Sequence, residues 1–204
     1  MFGRRNAAPG PRRSVAPSAA SSPASGDARL IARIIERDPR AFEDLYRLYH
    51  PRLTRFLRNI VRRPSLVEEV LNDTLMVVWD QPDRYNGQSK VSTWIFAIAY
   101  RKGLNARRRQ DEPMEDKLAD IRASDEPGPD RQLDWRQLRE VLLNAMSELS
   151  ADHLAVIDLT YFHDMGYREI AEIMDCPVDT VKTRMFHARR RLRGALAGEL
   201  ADWL

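Results

Sequence analysis

YREIAEIMDCPVDTVKTRMFHARRRLR, Tyr167–Arg193, is the stretch whose reading decides the fold. Ile170, Ala171, Ile173 and Met174 give its first half an apolar face at helical spacing. Asp175-Cys176 interrupts that face, and Pro177 suits the first turn of a second helix, where its missing N–H leaves no hydrogen bond unmade. Val178, Val181 and Met185 then recur at i, i+3 and i+7 and line one side of that helix. Asp179, Thr180, Lys182, Thr183, Arg184, Phe186, His187, Arg189, Arg190, Arg191 and Arg193 are left on the outside. A short helix, a tight turn and a basic second helix form the helix-turn-helix signature. Taken alone, the same pattern also describes an ordinary helical hairpin with a solvated basic face. The rest of the chain has to decide.

Upstream the periodicity stays helical. Leu30, Ile31, Ile34 and Ile35 form one stripe, Asp38-Pro39 breaks it, and Phe42, Leu45, Tyr46, Leu48 and Tyr49 resume it, followed by Leu53, Phe56, Leu57 and Ile60. Pro64-Ser65 reads as a helix start, with Ser65 and Glu68 spaced as a capping box. That helix runs to about Trp79 and buries Leu66, Val70, Leu71, Leu75 and Val78. Gln81-Pro82 and Asn86-Gly87 punctuate a loop. A further helix is expected over 92–109, capped by Ser92 or Thr93. Helices then resume over 133–148 and 150–162, with His163-Asp164 read as a turn. No alternating strand pattern occurs, so the fold class is all-α: two small helical domains joined by a flexible acidic linker, the second carrying the helix-turn-helix.

The boundaries follow composition. Residues 1–27 are rich in Pro, Ala, Ser, Gly and Arg and bury too little to offset their ordering entropy, so a disordered N-terminal extension is expected there. The first domain is read as 28–109, the acidic Pro/Gly-containing linker as 110–131, the second domain as 132–196 and a tail as 197–204. Lys and Arg total 33 against 30 Asp and Glu in 204 residues, so the net charge is only +3, but it is segregated into blocks. One cysteine, Cys176, excludes an internal disulfide framework and fits a reducing compartment. No apolar run approaches the ~18–20 residues of a membrane span, and the basic N-terminus lacks the apolar core of a secretory signal. A cytoplasmic protein without direct membrane insertion is expected.

Three constellations carry chemistry. On the second helix of the helix-turn-helix, Asp179, Thr183, Phe186, His187 and Arg190 face outward, where Thr and Arg can bond base edges and an aromatic can meet a thymine methyl. Lys182, Arg184 and Arg189 flank them at positions suited to phosphates. In the first domain, Tyr85, Trp94, Phe96 and Tyr100 lie among Arg84, Lys90, Arg101, Lys102 and Arg107–Arg109. Aromatics interleaved with cations give an unstacked single strand a π-platform and a charged track; burial in a core is the competing account of each aromatic. Trp94, Ala97, Arg101, Asn105 and Arg108 share one helical face. Glu69, Asn72, Asp73 and Met76 form a polar, acidic stripe that spacing alone leaves equal to a solvated face. His50, His153, His163 and His187 show no metal-ligand spacing, one cysteine cannot build a thiolate zinc site, and no P-loop or nucleophile elbow appears. No enzyme, metal or cofactor is expected.

These residues resemble the extracytoplasmic-function (ECF) sigma factors, the two-domain members of the bacterial sigma-70 family. RPSLVEEVLNDTLMVVWDQPDRYNGQSKVSTWIFAIAYRKGLNARRR, Arg63–Arg109, is similar to sigma region 2, and LREVLLNAMSELSADHLAVIDLTYFHDMGYREIAEIMDCPVDTVKTRMFHARRRLR, Leu138–Arg193, to region 4. The resemblance implies a sigma subunit that binds core RNA polymerase and directs promoter recognition and melting. Its partners would be the β′ clamp and β flap regions of the core, promoter DNA and an anti-sigma factor. It implies clamp binding by Glu69, Asn72, Asp73 and Met76, and −10 contacts by Arg84, Tyr85, Asn86, Lys90, Trp94, Arg101 and Asn105. It implies −35 contacts by Asp179, Thr180, Lys182, Thr183, Arg184, Phe186, His187 and Arg190. Asp179, Lys182-Thr183 and His187 stand where many relatives have Gly, Arg-Ser and Arg, so no −35 preference carries over. A helix-turn-helix regulator with a ligand-sensing first domain is the alternative; it lacks an apolar-cavity signature and leaves the aromatic–basic helix unexplained.

Overall fold

The computed structural model describes residues 24–61, 63–111, 144–146 and 148–200. Most of the N-terminal extension, the linker from 112 onward, the start of the helix expected at Leu133 and the last residues of the tail lie outside the described residues. The elements are α1 (Ala24–Ile35), α2 (Pro39–Ile60), α3 (Pro64–Asp80), a 3-10 turn (Pro82–Arg84), α4 (Val91–Asp111), α5 (Ala151–Tyr161), α6 (Tyr167–Met174) and α7 (Val178–Leu200). The described residues contain no strand, and the all-α reading holds.

The first block is built on α2. Asp38 caps it by accepting the Arg40 amide at 2.9 Å, and Pro39 takes the first helical position, where no N–H is needed. Leu45, Tyr49, Leu53, Phe56, Leu57 and Ile60 are fully buried at three- and four-residue spacing. Arg37 adopts a left-handed conformation (φ 63°) in the preceding turn, and its guanidinium donates to the Trp79 carbonyl at 2.8 Å, tying that turn to the end of α3. Helix α4 crosses α2 at Gly103, where a Cβ would come within 3.2 Å of both Leu57 Cδ2 and Ile60 Cγ2. Glycine there sets how closely the two helices approach.

Two expected caps are corrected. Arg63, not Ser65, is the N-cap of α3 and provides no side-chain bond, so the capping box does not form; Glu68 instead stands 3.5 Å from His50. Pro64 occupies the first turn, where its missing N–H removes one of the amides a cap would otherwise satisfy. Helix α4 begins at Val91, so Ser92 and Thr93 lie inside it, with Thr93 buried.

The second block stacks α5, α6 and α7. Ser150 caps α5, accepting the His153 amide at 3.3 Å. Asp175, left-handed at φ 51°, ends α6, and the Cys176 amide closes on the Ala171 carbonyl at 3.1 Å. Pro177 stands just before α7 rather than within its first turn. Val181, Met185 and Ala188 are buried beneath α7. The sequence reading keeps the two domains apart; here α5 lies on α2 and α6 on α4, and one apolar core runs through both blocks. Helix α5 is therefore buried on two sides, which explains why Val156, Ile157, Asp158 and Leu159 are all inaccessible in succession.

Candidate nucleic-acid and partner interfaces

On α7 the apolar underside fixes which residues point out. Asp179, Lys182, Thr183, Phe186, His187 and Arg190 are exposed together, and Phe186 is 61% exposed with its ring 5.5 Å from that of His187. Such exposure leaves a large aromatic surface open to solvent. Lys182 pairs with Asp179 at 2.9 Å, and the Thr183 hydroxyl donates back to the Asp179 carbonyl at 2.9 Å. Thr180 is half-buried. Arg184 departs from the sequence reading: it turns inward, 2.5 Å from Asp152, with the Cys176 sulfur 3.6 Å away. Its position on the helix, one step round from Thr183, places it over α5, where a carboxylate meets it. Arg189 reaches the Tyr161 hydroxyl at 2.7 Å.

The second face lies between the 3-10 turn and α4. Asn86 and Gly87 shape the loop: the Asn86 side chain accepts the Gln88 amide at 3.0 Å, and Gly87 takes φ +72°, which a side chain would strain. Tyr85 donates to the Ser89 carbonyl at 2.7 Å and sets its ring 5.5 Å from Trp94. Both rings are half-buried, with Arg84, Asn86, Arg101 and Asn105 exposed around them. Phe96 and Tyr100, the other aromatics of the sequence reading, belong to the core instead. They point away from the face that carries Arg101, to where α2 and the second block cover them. The aromatic platform is thus the Tyr85–Trp94 pair alone.

Along α3, Glu69, Asn72, Asp73 and Met76 form one exposed stripe, with Met76 48% exposed. Lys102 of α4 approaches Asp73 at 3.1 Å, but the Asp73 side chain stays 61% exposed, so the carboxylate remains available.

Sequence reasoning missed a polar seam between the blocks. The Asn59 amide donates to Asp158 Oδ1 at 2.9 Å, the Tyr100 hydroxyl to Asp152 Oδ1 at 2.6 Å, and Lys90 pairs with Glu169 at 2.8 Å. Burial and the Asp152 carboxylate together push the Tyr100 phenol up, so it acts as a neutral donor. Burial opposes the charge on Glu169, but bonds from Lys90 and the Gly166 amide outweigh it and hold the carboxyl below its usual range. The one available signal was Asp158, a lone acid inside the apolar run LAVIDL. Among the described residues no group of His, Cys, Asp and Glu is placed to hold a metal ion, and no helix is long and apolar enough to cross a membrane.

The family model for Sigma-70 region 2 matches residues 31–112, and that for Sigma-70, region 4, matches residues 139–192. The ECF RNA polymerase sigma-E factor of Haemophilus influenzae is 27% identical over 180 residues, 83% of this chain and 95% of that protein. The ECF RNA polymerase sigma factor RpoE of Cereibacter sphaeroides is 29% identical over 164 residues, 77% of this chain and 87% of its own. Among solved structures, the sigma factor RpoE of Bartonella quintana, in complex with the anti-sigma factor NepR, superposes with a TM-score of 0.59 at 25% identity, covering 76% of this chain and 96% of that one.

Proposed function

Because this chain belongs to the extracytoplasmic-function group of the sigma-70 family, we propose a residue-by-residue account of how it serves RNA polymerase. The protein is a sigma factor: it joins core RNA polymerase, recognises promoter DNA and supports its opening. Its contribution is read as binding alone, with no bond made or broken by its own side chains. Two aromatic–cationic faces on one chain, the half-buried Tyr85–Trp94 pair and the exposed Phe186, carry the account, because each suits a different form of DNA.

Helix α7 enters the major groove at the −35 element. Thr183, Phe186, His187 and Arg190 meet base edges, while Asp179, Thr180 and Lys182 adjust the helix and its phosphate contacts. Arg184 joins them only by leaving Asp152. The loop and α4 meet the −10 element as it melts: Asn86 and the Tyr85–Trp94 pair take unstacked bases, and Arg84, Lys90, Arg101 and Asn105 hold the strand. Unstacking costs a few kcal/mol per step, and no nucleotide hydrolysis supplies it, so base capture and holoenzyme contacts must.

Glu69, Asn72, Asp73 and Met76 dock on the β′ clamp, and the second block meets the β flap. The reading extends to cytoplasmic residence and to a dedicated anti-sigma factor, as the Bartonella quintana relative has. The decisive experiment is co-purification with core RNA polymerase. Asp73→Arg reverses an exposed charge and is expected to reduce core retention at least tenfold without lowering the melting temperature. Undiminished retention of a folded Asp73→Arg protein sinks the clamp assignment.

A further inference from the structure

The chain has seven methionines, and those in the described residues differ in how far solvent reaches the sulfur. Met165, Met174 and Met185 are 5%, 6% and 2% exposed and belong to the apolar core. Met146 is half-buried. Met76 alone among them stands open, at 48% exposure. Met1 and Met114 lie outside the described residues.

The place of Met76 matters as much as its exposure. It follows Asn72 and Asp73 on α3 by four and three positions, so the three share one face of the helix, and Glu69 lies a turn before Asn72. Asp73 leans toward Lys102 at 3.1 Å, while the next aliphatic residues, Val77 and Val78, are half-buried and buried. A thioether is therefore the apolar centre of an otherwise polar, acidic stripe. Methionine suits such a place, because its unbranched chain adapts to the surface it meets and gains by being covered.

The same sulfur is open to oxidation. Its lone pair attacks one oxygen of hydrogen peroxide; an S–O bond forms as the O–O bond breaks, and the remaining oxygen leaves as water with both protons. Sulfur is oxidised, the peroxide is reduced, and the side chain becomes methionine sulfoxide. The product has a strongly polar S=O group where the thioether was apolar. In water that group is hydrated, but a partner that covers it without a donor leaves it unsatisfied. Covering the stripe also shields the sulfur, so the reaction falls on the free chain. Methionine sulfoxide reductases reverse it.

We propose that Met76 is an oxidant-sensitive modification site: a small peroxide converts its thioether to the sulfoxide in the free protein, and the sulfoxide blocks docking on core RNA polymerase. The effect on docking rests on the reading of the α3 stripe as the clamp-binding face, whereas the order in which the methionines oxidise rests on burial alone. Cys176, the other oxidisable sulfur, is half-buried beside Arg184 in the turn before α7 and lies outside the stripe.

The test uses the full chain with Cys176→Ser, treated with hydrogen peroxide, quenched and divided between peptide mapping by mass spectrometry and retention on core RNA polymerase. Met76 is expected to oxidise roughly tenfold faster than Met165, Met174 and Met185. Core retention is expected to fall about tenfold as Met76 converts, with an unchanged melting temperature, and to return after treatment with methionine sulfoxide reductase. Met76→Leu, compared with its own untreated sample, is expected to lose nothing to peroxide, which separates Met76 from Met1 and Met114. If the oxidised chain melts early, Met76→Gln, which sets an uncharged polar side chain at the same place without oxidant, replaces it with the same expected loss. Oxidation of Met76 no faster than that of the buried methionines overturns the site, and full retention of a chain carrying the sulfoxide at Met76 overturns its effect. An untreated chain that core polymerase fails to retain counts against the clamp reading instead, while the order of oxidation still judges the site.

Discussion

The two faces proposed to read DNA differ in how each is held. Helix α7 presents Phe186 on a regular helix whose underside, Val181, Met185 and Ala188, is locked into its own block. Its outward geometry is set before DNA arrives, as duplex reading requires. The −10 face is assembled from a loop and the start of a helix: Gly87 at positive φ, a Tyr85–Ser89 bond, a half-buried Tyr85–Trp94 pair, and a cation lent to the other block. A preformed helix suits a duplex of fixed shape, whereas unstacked bases need rings that can be uncovered. On the proposed assignment, one chain separates rigid reading from adaptable capture by placing them on different kinds of backbone.

The largest expected effect tests whether the two blocks share one foundation. Phe56 is fully buried against Phe96 at 5.1 Å and near His163. Phe56→Ala should cost about 3–5 kcal/mol in urea unfolding and also loosen the second block. Loss confined to the first block would show the shared core to be incidental.

Next come the readers themselves. Trp94→Ala should remove about 1–3 kcal/mol of stacking per captured base, reducing permanganate reactivity at the −10 while leaving −35 duplex binding unchanged. Phe186→Ala should do the reverse, altering −35 choice by about 1–3 kcal/mol per lost contact and sparing melting on a pre-opened template. Any crossing of these effects breaks the comparison. Lys182→Ala should weaken binding to all promoters alike and flatten the salt dependence by about one counterion.

The smallest effect concerns the seam. Glu169 has its carboxyl pKa lowered in the folded state, so its stabilising contribution is complete above the ordinary carboxyl range and is lost as pH falls through that range and below. Stability in urea unfolding should therefore fall on acidification below the usual 4.5, and Glu169→Gln should blunt that part of the profile. An identical acid limb in the variant would show that Glu169 does not hold the seam.

Much of this was legible from residue spacing. The helices around Phe42–Ile60 and Val178–Met185 followed from apolar periodicity, and the exposed positions of α7 followed from it by subtraction. The Asn86-Gly87 turn was equally plain, since few residues accept a positive φ. Capping was less legible: Ser65 and Glu68 had the right spacing, but Pro64 and Arg63 moved the helix start back two residues. The inward turn of Arg184 could not be read at all, because it depends on Asp152, thirty-two positions away on another helix.

The sequence by itself determined which segments are helical, which face of each is apolar and where charge and exposed aromatics accumulate. All of these are local, set by three- and four-residue spacing and by the conformations Pro and Gly permit. Only the tertiary structure decided which aromatics on α4 were platform and which were core, and that Asn59, Asp158 and His163 meet. The reason is that burial is a property of the neighbour. Periodicity marks a surface as able to be covered, but α4 carries two such surfaces, and only the arrival of α2 and α6 selects the one that disappears.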